Sequence, residues 1–417
     1  MGSHSWCVVL RVAPRWAINL RSLKPGWSND GGSNRAAPRV LVVLDSTAAW
    51  SRGALRGFSR VAHEQGWSLF HYRQTGNIGV LATEIAPAAA VLGPTFSEPW
   101  PPQLRSCVRV AVNADRRAEG IVSVELDGAK AAELALSHLL ARGFRNLTTF
   151  RFGTWGALRE RHFREVAARL GGHLEPAWWS DAAVPSSMED RPVAIMEWLR
   201  SLRKPCGVFA LCDEWARRLA RYARAANLRV PEDLALIGID NDVFECEIES
   251  PMLSSVAVPW RSFGETAARL VQLGLRGEPV AIQSVLIPPL DVVVRRSSDT
   301  LAIADPLVLA AVRWIHDNFA SRVTVPTIAN AVRSTRQRLE RRFRQNLGRT
   351  VLEEIRRTRV EAARRLLSTT QVPLVDIARR SGFTNAALLS VAFGRELGVS
   401  PGAYRKRMQG LLVDAEE

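Results

Sequence analysis

Five cysteines in 417 residues, Cys7, Cys107, Cys206, Cys212 and Cys246, are odd in number and stand in no metal-type pair spacing. Neither a disulfide frame nor a zinc site is indicated, and a reduced, cytoplasmic setting fits the chain. An uninterrupted apolar run of about 18 residues, the length a membrane-spanning helix needs, is also missing. Residues 1–37 carry Trp6, Arg11, Arg15, Trp16, Arg21 and Lys24 and are interrupted too often for a secretory signal. They read as a flexible leader, and no membrane partner is expected. Catalytic signatures are lacking too: no H-E-x-x-H, no G-x-S-x-G, no Walker glycine loop, and seven scattered histidines. The expectation is a non-enzyme that needs no cofactor.

Negative charge is what the C-terminal quarter lacks. From Asp305 to Gly410 there are 20 arginines and lysines against 8 acids, whereas residues 38–304 are near neutral at 31 against 29. Such segregation suits a chain in which one part releases counterions from a phosphate backbone and the other handles something weakly charged.

The basic part contains an internal repeat. Leu339, Phe343, Leu347 and Gly348 recur as Leu389, Phe393, Leu397 and Gly398, each set preceded by an Ile-Ala pair, Ile328-Ala329 and Ile377-Ala378. The four-residue spacing puts the apolar side chains on one helix face, and the glycine follows where a left-handed cap is needed. Two helix-turn-helix units are predicted. Thr324 before Val325-Pro326 caps the first helix. Thr335 caps the next, whose outer face shows Gln337, Arg338, Arg341 and Arg344. Arginine can bind guanine, and glutamine adenine, through paired hydrogen bonds in the major groove. Arg342 and Arg349 are expected on phosphates. A capping box, Thr350-x-x-Glu353, opens a spacer helix to about Ser368 that can set two heads about one duplex turn apart. The second recognition helix, from Asn385, offers Ala386, Ala387 and Leu388. Asn385, Ser390 and Arg395 are its polar contributors, either beside contacts to thymine methyls or as nonspecific affinity alone.

Ahead of it, runs at 40–45, 88–94, 108–115, 121–127, 146–152, 207–213 and 234–240 are near-continuously apolar, as in buried parallel strands. They alternate with amphipathic stretches at 53–65, 128–142, 157–170, 191–203 and 214–227. The pattern is α/β and doubly wound, so a ligand site is expected beyond the C-terminal strand ends. Asp45, Asp115, Asp127, Asp213 and Asp240 stand there, either to meet a polyhydroxylated ligand or to cap the following helices.

The run LIGIDND (236–242), then SPMLSSVAVPW (250–260) and a helix with FGETAARLV (263–271), resembles the close of the sugar-responsive LacI/GalR effector domain. VELDGAKAAELALSHLLARGFRNLTTF (124–150) and CDEWARRLARYARAANLRVPEDLALIG (212–238) match earlier repeats of it. The likeness covers 38–298 and implies a two-lobed, periplasmic-binding-protein-like domain of parallel sheets. IARRSGF (377–383) and LLSVAFGRELGVSPGAYRK (388–406) are similar to the closing motif of the AraC/XylS DNA-binding domain. An effector domain followed by that domain is the order of XylR-type regulators.

The resemblance implies a ligand-gated transcriptional regulator, an activator more than a repressor. Its partners are double-stranded DNA, a monosaccharide effector, a second copy in a homodimer and RNA polymerase. Base contacts are implied at Gln337, Arg338 and Arg341. Ligand contacts are implied at Asp240 and Arg159, with Asp127 and Asp213 at strand ends and Ser46 and Trp50 in the first strand-helix turn. Against these, Trp50 packing between lobes and Arg159 pairing with Glu160 or Glu165 stay open. The expected division is leader 1–37, effector domain 38–298, linker 299–304, DNA-binding domain 305–410 and tail 411–417. The other classes weighed are an architectural DNA-binding protein whose α/β part only dimerises, and a DNA-tethered sugar hydrolase using strand-end aspartates.

Overall fold

The computed structural model describes residues 37–73, 78–94, 100–114, 121–151, 156–178, 191–278, 284–303 and 305–416. The leader through residue 36, Asp115 and residue 304 lie outside them.

The first lobe opens with β1 (Arg39–Val43), α1 (Ala49–Glu64), β2 (Ser68–Tyr72), α2 (Ile78–Ile85), β3 (Ala89–Leu92), β4 (Val108–Val112) and β5 (Val122–Leu126). The second holds α3 (Gly128–Ala141), β6 (Asn146–Phe150), α4 (Ala157–Leu170), β7 (His173–Leu174), α5 (Pro192–Ser201), β8 (Cys206–Ala210), α6 (Asp213–Ala225), β9 (Leu234–Asp240), α7 (Val243–Glu247) and β10 (Ser254–Ala257). The chain then returns through α8 (Trp260–Leu275) and β11 (Ser284–Ile287) to the first sheet and ends at β12 (Val292–Val293) in the second. The sheet orders are β11-β5-β4-β3-β1-β2 and β12-β10-β9-β8-β6-β7, with β12 antiparallel to β10 and every other pairing parallel. Three crossings therefore join two lobes of largely parallel sheet; the alternating pattern predicts the parallel strands and the family resemblance implies the two lobes. β1, β3 and β8 read as unbroken apolar runs because helices cover both faces of the sheets; SLFHY in β2 alternates and escapes that signal. Helix α8 crosses α1 closely enough that a Cβ on Gly264 would meet the Ala54 carbonyl, and one on Gly57 the Arg261 carbonyl. Glycine is what lets these backbones touch.

The C-terminal part is helical: α9 (Pro306–Asn318), α10 (Val325–Ala331), α11 (Arg336–Leu347), α12 (Val351–Thr369), α13 (Leu374–Arg380), α14 (Ala386–Leu397) and α15 (Pro401–Glu416). Both predicted helix-turn-helix units are present. Helices α11 and α14 are each 12 residues long, capped by Thr335 and Asn385 and closed by Gly348 (φ +68°) and Gly398 (φ +69°) in the left-handed region. Their buried stripes, Leu339-Phe343-Leu347 and Leu389-Phe393, enter two separate cores. Helix α12 serves both, giving Val351 and Ile355 to the first and Val360, Ala363 and Leu367 to the second. Its capping box forms as predicted, with Glu353 N–H donating to Thr350 Oγ1 at 3.2 Å and Thr350 N–H to Glu353 Oε2 at 2.7 Å. Nineteen residues make a spacer of about 28 Å.

Polar contacts join the helical part to the second lobe. Arg349 Nη2 donates to the Ala141 carbonyl at the end of α3 (2.6 Å), Arg145 Nη2 to the Asn346 carbonyl (2.9 Å), and Arg364 Nε pairs with Asp291 Oδ2 (2.9 Å) beside β12. Leu290 and Val293 pack on the core of the second head. The segment expected as a linker is itself packed: Ala302 N–H donates to the Arg142 carbonyl (2.8 Å) and Ile303 is buried in the first head's core. Glu354, fully buried, accepts from Arg357 (2.8 Å) and is held by Arg349, with His316 at 3.8 Å. The Arg357 and Arg349 guanidiniums hold its carboxyl well below the glutamate range despite burial, which opposes them.

Candidate effector cleft and nucleic-acid interface

A cavity of about 830 Å³ opens where the carboxyl ends of the two sheets face each other. Asp45 and Thr47 from the β1–α1 turn and Trp50 from the first turn of α1, with Asn113 and Glu125, line it from the first lobe. Arg159, His162, Asp213, Asp240, Asp242 and Glu245 line it from the second.

Asp240 is the most strained of these. It ends β9 at φ +117°, and Asn241 follows at +55°, conformations that non-glycine residues adopt at an energetic cost and chiefly at functional sites. The strain is held in place: Asn241 N–H donates to Ser255 Oγ (3.0 Å) and Arg295 Nη1 to Asn241 Oδ1 (3.0 Å). Asp240 Oδ1 is buried without a hydrogen-bond partner among the described residues. Burial pushes its carboxyl up to about 7, against the pull of the Arg159 guanidinium, with Asp242 raising it further. His162 Nδ1 is likewise buried without a partner, and burial depresses its basicity. Two residues of the cavity lining thus each carry a buried polar atom without a partner among the described residues.

Other expected ligand residues are placed differently. Asp213 touches the cavity, but its oxygens accept from Ser255 Oγ (2.6 Å) and Asp242 N–H (2.8 Å), so it anchors the β9–α7 turn. Burial and Asp240 raise its pKa well above the aspartate range. Asp127 accepts from Lys130 N–H (2.9 Å) as the cap of α3, and neither it nor Ser46 belongs to the cavity lining. Trp50 does line it, braced by Trp260 with ring centroids 5.6 Å apart, so it both faces the ligand space and packs. Arg159 donates to the Leu211 carbonyl (2.8 Å), while Glu160 is held by Arg151 (2.6 Å) and Arg164 (2.7 Å). Sequence reasoning passed over Glu125, Asn113 and Asp242 as cavity residues, and His162 counted only among the scattered histidines. Glu125 could have been found as an acid inside the apolar strand β5, and His162 as the residue three beyond Arg159 on one helix face.

On α11, Gln337, Arg338, Arg341 and Arg344 are exposed. Among the described residues no side-chain hydrogen bond or ion pair ties down Gln337, Arg338 or Arg341, so a desolvated base edge could take them without breaking a bond. Arg342 pairs with Asp305 (3.2 Å) and keeps a half-exposed guanidinium. Arg349 is a correction: expected on phosphate, it is mostly buried between Glu354 and the Ala141 carbonyl, where desolvation lowers its pKa. On α14, Asn385 Oδ1 accepts from Leu388 N–H (2.9 Å) as the cap and Ser390 Oγ donates to the Ala386 carbonyl (2.8 Å); Asn385 and Arg395 are exposed and Ser390 is half-buried.

Comparison with known proteins bears on both halves. A periplasmic binding protein-like domain model matches residues 136–298, and a helix-turn-helix domain model matches 328–407. In this order of domains the chain is similar to a LacI/GalR-like effector domain fused to an AraC/XylS-type helix-turn-helix domain. It is 28% identical to the xylose operon regulatory protein of Escherichia coli K12 over 287 residues, 68% of this chain and 73% of that protein. The Haemophilus influenzae protein of the same description is also 28% identical, over 289 residues, 68% of this chain and 74% of that one. The solved structure of a xylose-binding transcription activator shares the fold with a TM-score of 0.52 at 24% identity, covering 89% of this chain and 98% of that one. These relatives are transcriptional regulators rather than enzymes. No helix of the described residues is long and apolar enough to cross a membrane.

Proposed function

We propose that this fused chain is a sugar-responsive, sequence-specific DNA-binding regulator that activates a sugar-utilisation operon. Its effector is an uncharged monosaccharide, and it works in the cytoplasm as a homodimer that engages RNA polymerase. The observation that carries this reading is the pairing, on one chain, of a strained and unpartnered Asp240 in a two-lobed cavity with an unpaired Gln337-Arg338-Arg341 face on a helix-turn-helix. Among the described residues seven acidic side chains line the cavity (Asp45, Glu125, Asp213, Glu214, Asp240, Asp242 and Glu245) against one arginine, Arg159, and burial holds Asp213 and Asp240 toward their neutral forms. That balance favours a ligand rich in hydroxyl donors and repels phosphorylated or acidic sugars. Trp50 supplies an indole for the apolar face of a sugar ring. The working division is effector domain 38–298, junction 299–304 and DNA-binding domain 305–410, with 1–37 as leader and 411–417 as tail.

Sugar bridging the lobes draws them together about the three crossings. Because Arg145, Arg349 and Arg364 tie the DNA-binding domain to the second lobe, the two move as one body. Closure then changes how the first lobe meets its counterpart in a dimer, and so the spacing of the paired DNA-binding domains.

The test is a monosaccharide screen by thermal shift on the full chain, followed by binding to duplexes selected from a random-sequence pool. A saturating sugar is expected to raise the melting temperature and to change the affinity for the selected duplex, neither effect surviving Asp240→Ala. An architectural protein would bind duplex but respond to no sugar. A chain that ignored all duplexes at low ionic strength would end the proposal.

A further inference from the structure

The second recognition helix repeats the first in length, caps and buried stripe, yet its outward face has different chemistry. Leu388 is 52% and Val391 70% exposed, with Val375 on the preceding helix 69% exposed. Leu388 and Val391 are three apart on α14, so they form one ridge, in the positions that Arg338 and Arg341 take on α11. Apolar side chains left this open mark a contact surface. Charge says what the surface meets: exposed Arg380, Arg395, Lys406 and Arg407 belong to the same helical unit, a complement to polyanion rather than to another apolar protein face.

We infer that the second head reads DNA by van der Waals contact, Leu388 and Val391 seating on the 5-methyl groups of thymines in the major groove. The inference rests on the DNA-binding reading above and adds the base and the chemical group recognised. The thymine methyl is the one apolar group that base pairs present in that groove, so an apolar ridge has a single target there. The two heads divide the work: α11 selects by hydrogen bonds from Gln337, Arg338 and Arg341, and α14 selects thymine by shape. Asn385 Oδ1 and the Ser390 hydroxyl proton are engaged within their own helix, so thymine selection by the ridge does not depend on them.

Deoxyuridine removes the methyl and leaves base pairing intact, so it isolates this contact. A duplex selected from a random pool by the full-length chain is resynthesised with deoxyuridine for thymine in one half of the footprint at a time. The half belonging to the first head is the one in which Arg341→Ala relaxes base preference. In the other half, deoxyuridine is expected to weaken wild-type binding about fourfold per contacted methyl. Leu388→Ala and Val391→Ala, both at exposed positions, shrink that penalty, and Arg341→Ala leaves it intact. Equal binding of thymine and uracil duplexes overturns the inference while leaving DNA binding standing. So does a penalty the two alanine variants retain, or an equal loss on both duplexes, as when the ridge seats a protein partner. Loss of all duplex binding by the wild type ends both readings together.

Discussion

The outer face of α11 and the junction between the DNA-binding domain and the second lobe are equally rich in arginine and differ in what those arginines touch. At the junction Arg349, Arg357 and Arg364 each hold a buried carboxylate, Glu354 or Asp291. On α11, Arg338 and Arg341 stand exposed without a partner among the described residues. Charge count alone therefore overstates a binding face: part of the positive excess cements the domain to its neighbour, and only the unmatched remainder is available to phosphate and bases. A buried charge must be paired to be tolerated, whereas an exposed one can wait for a ligand.

The largest expected effect lies at the junction. Glu354→Ala leaves Arg349 and Arg357 without their carboxylate and is expected to cost about 3–5 kcal/mol, read as a drop in thermal stability of the full chain. Since its folded pKa is depressed, the stabilisation from Glu354 is full above the ordinary glutamate value and is lost only as the pH falls through the lower folded value. A loss under about 1 kcal/mol would mean that the junction does not need its ions.

A direct contrast comes next. Arg341→Ala should cost about 1–3 kcal/mol in binding a selected duplex and relax preference at one base pair without moving the melting temperature. Arg349→Ala should lower stability by about 1–3 kcal/mol and leave the salt dependence of DNA binding unchanged. If Arg349→Ala instead flattened the salt slope, its phosphate role would return and the contrast would break.

The cavity provides a third case, charge buried but unmatched. Asp240 has a raised folded pKa, so the folded state holds a proton that the unfolded chain releases between the ordinary aspartate value and about 7; stability falls as pH rises through that window. Asp240→Asn should raise stability at pH 8 by about 1–3 kcal/mol while weakening the sugar response. Melting curves at pH 5 and pH 8 read the first effect and the ligand-induced shift reads the second; an unchanged pH dependence would show that Asp240 is already satisfied. Smallest of all, Arg379→Ala breaks an exposed pair with Asp376 (2.9 Å) and should change stability by less than about 0.5 kcal/mol.

Much of this was legible in residue order. The repeat at Leu339 and Leu389, the caps at Thr324, Thr335 and Thr350 and the parallel strands are local patterns, set by side-chain periodicity and by backbone donors that need a partner within a few residues. Their helices and strands stand where those patterns put them, and Asp240 and Arg159 were found through the motifs around them. Contacts far apart in the chain were not legible. Nothing near Arg349 says that the Ala141 carbonyl, 208 positions away, will take its proton donor, and nothing near Asp213 says that Ser255 will fill its oxygen before a ligand can. Sequence by itself determined which elements form, how the heads repeat and where charge accumulates, because those depend on neighbours along the chain. Tertiary structure alone decided which of those charges are left over, because pairing depends on what folding brings within about 3 Å, and only an unpaired group remains to meet sugar or DNA.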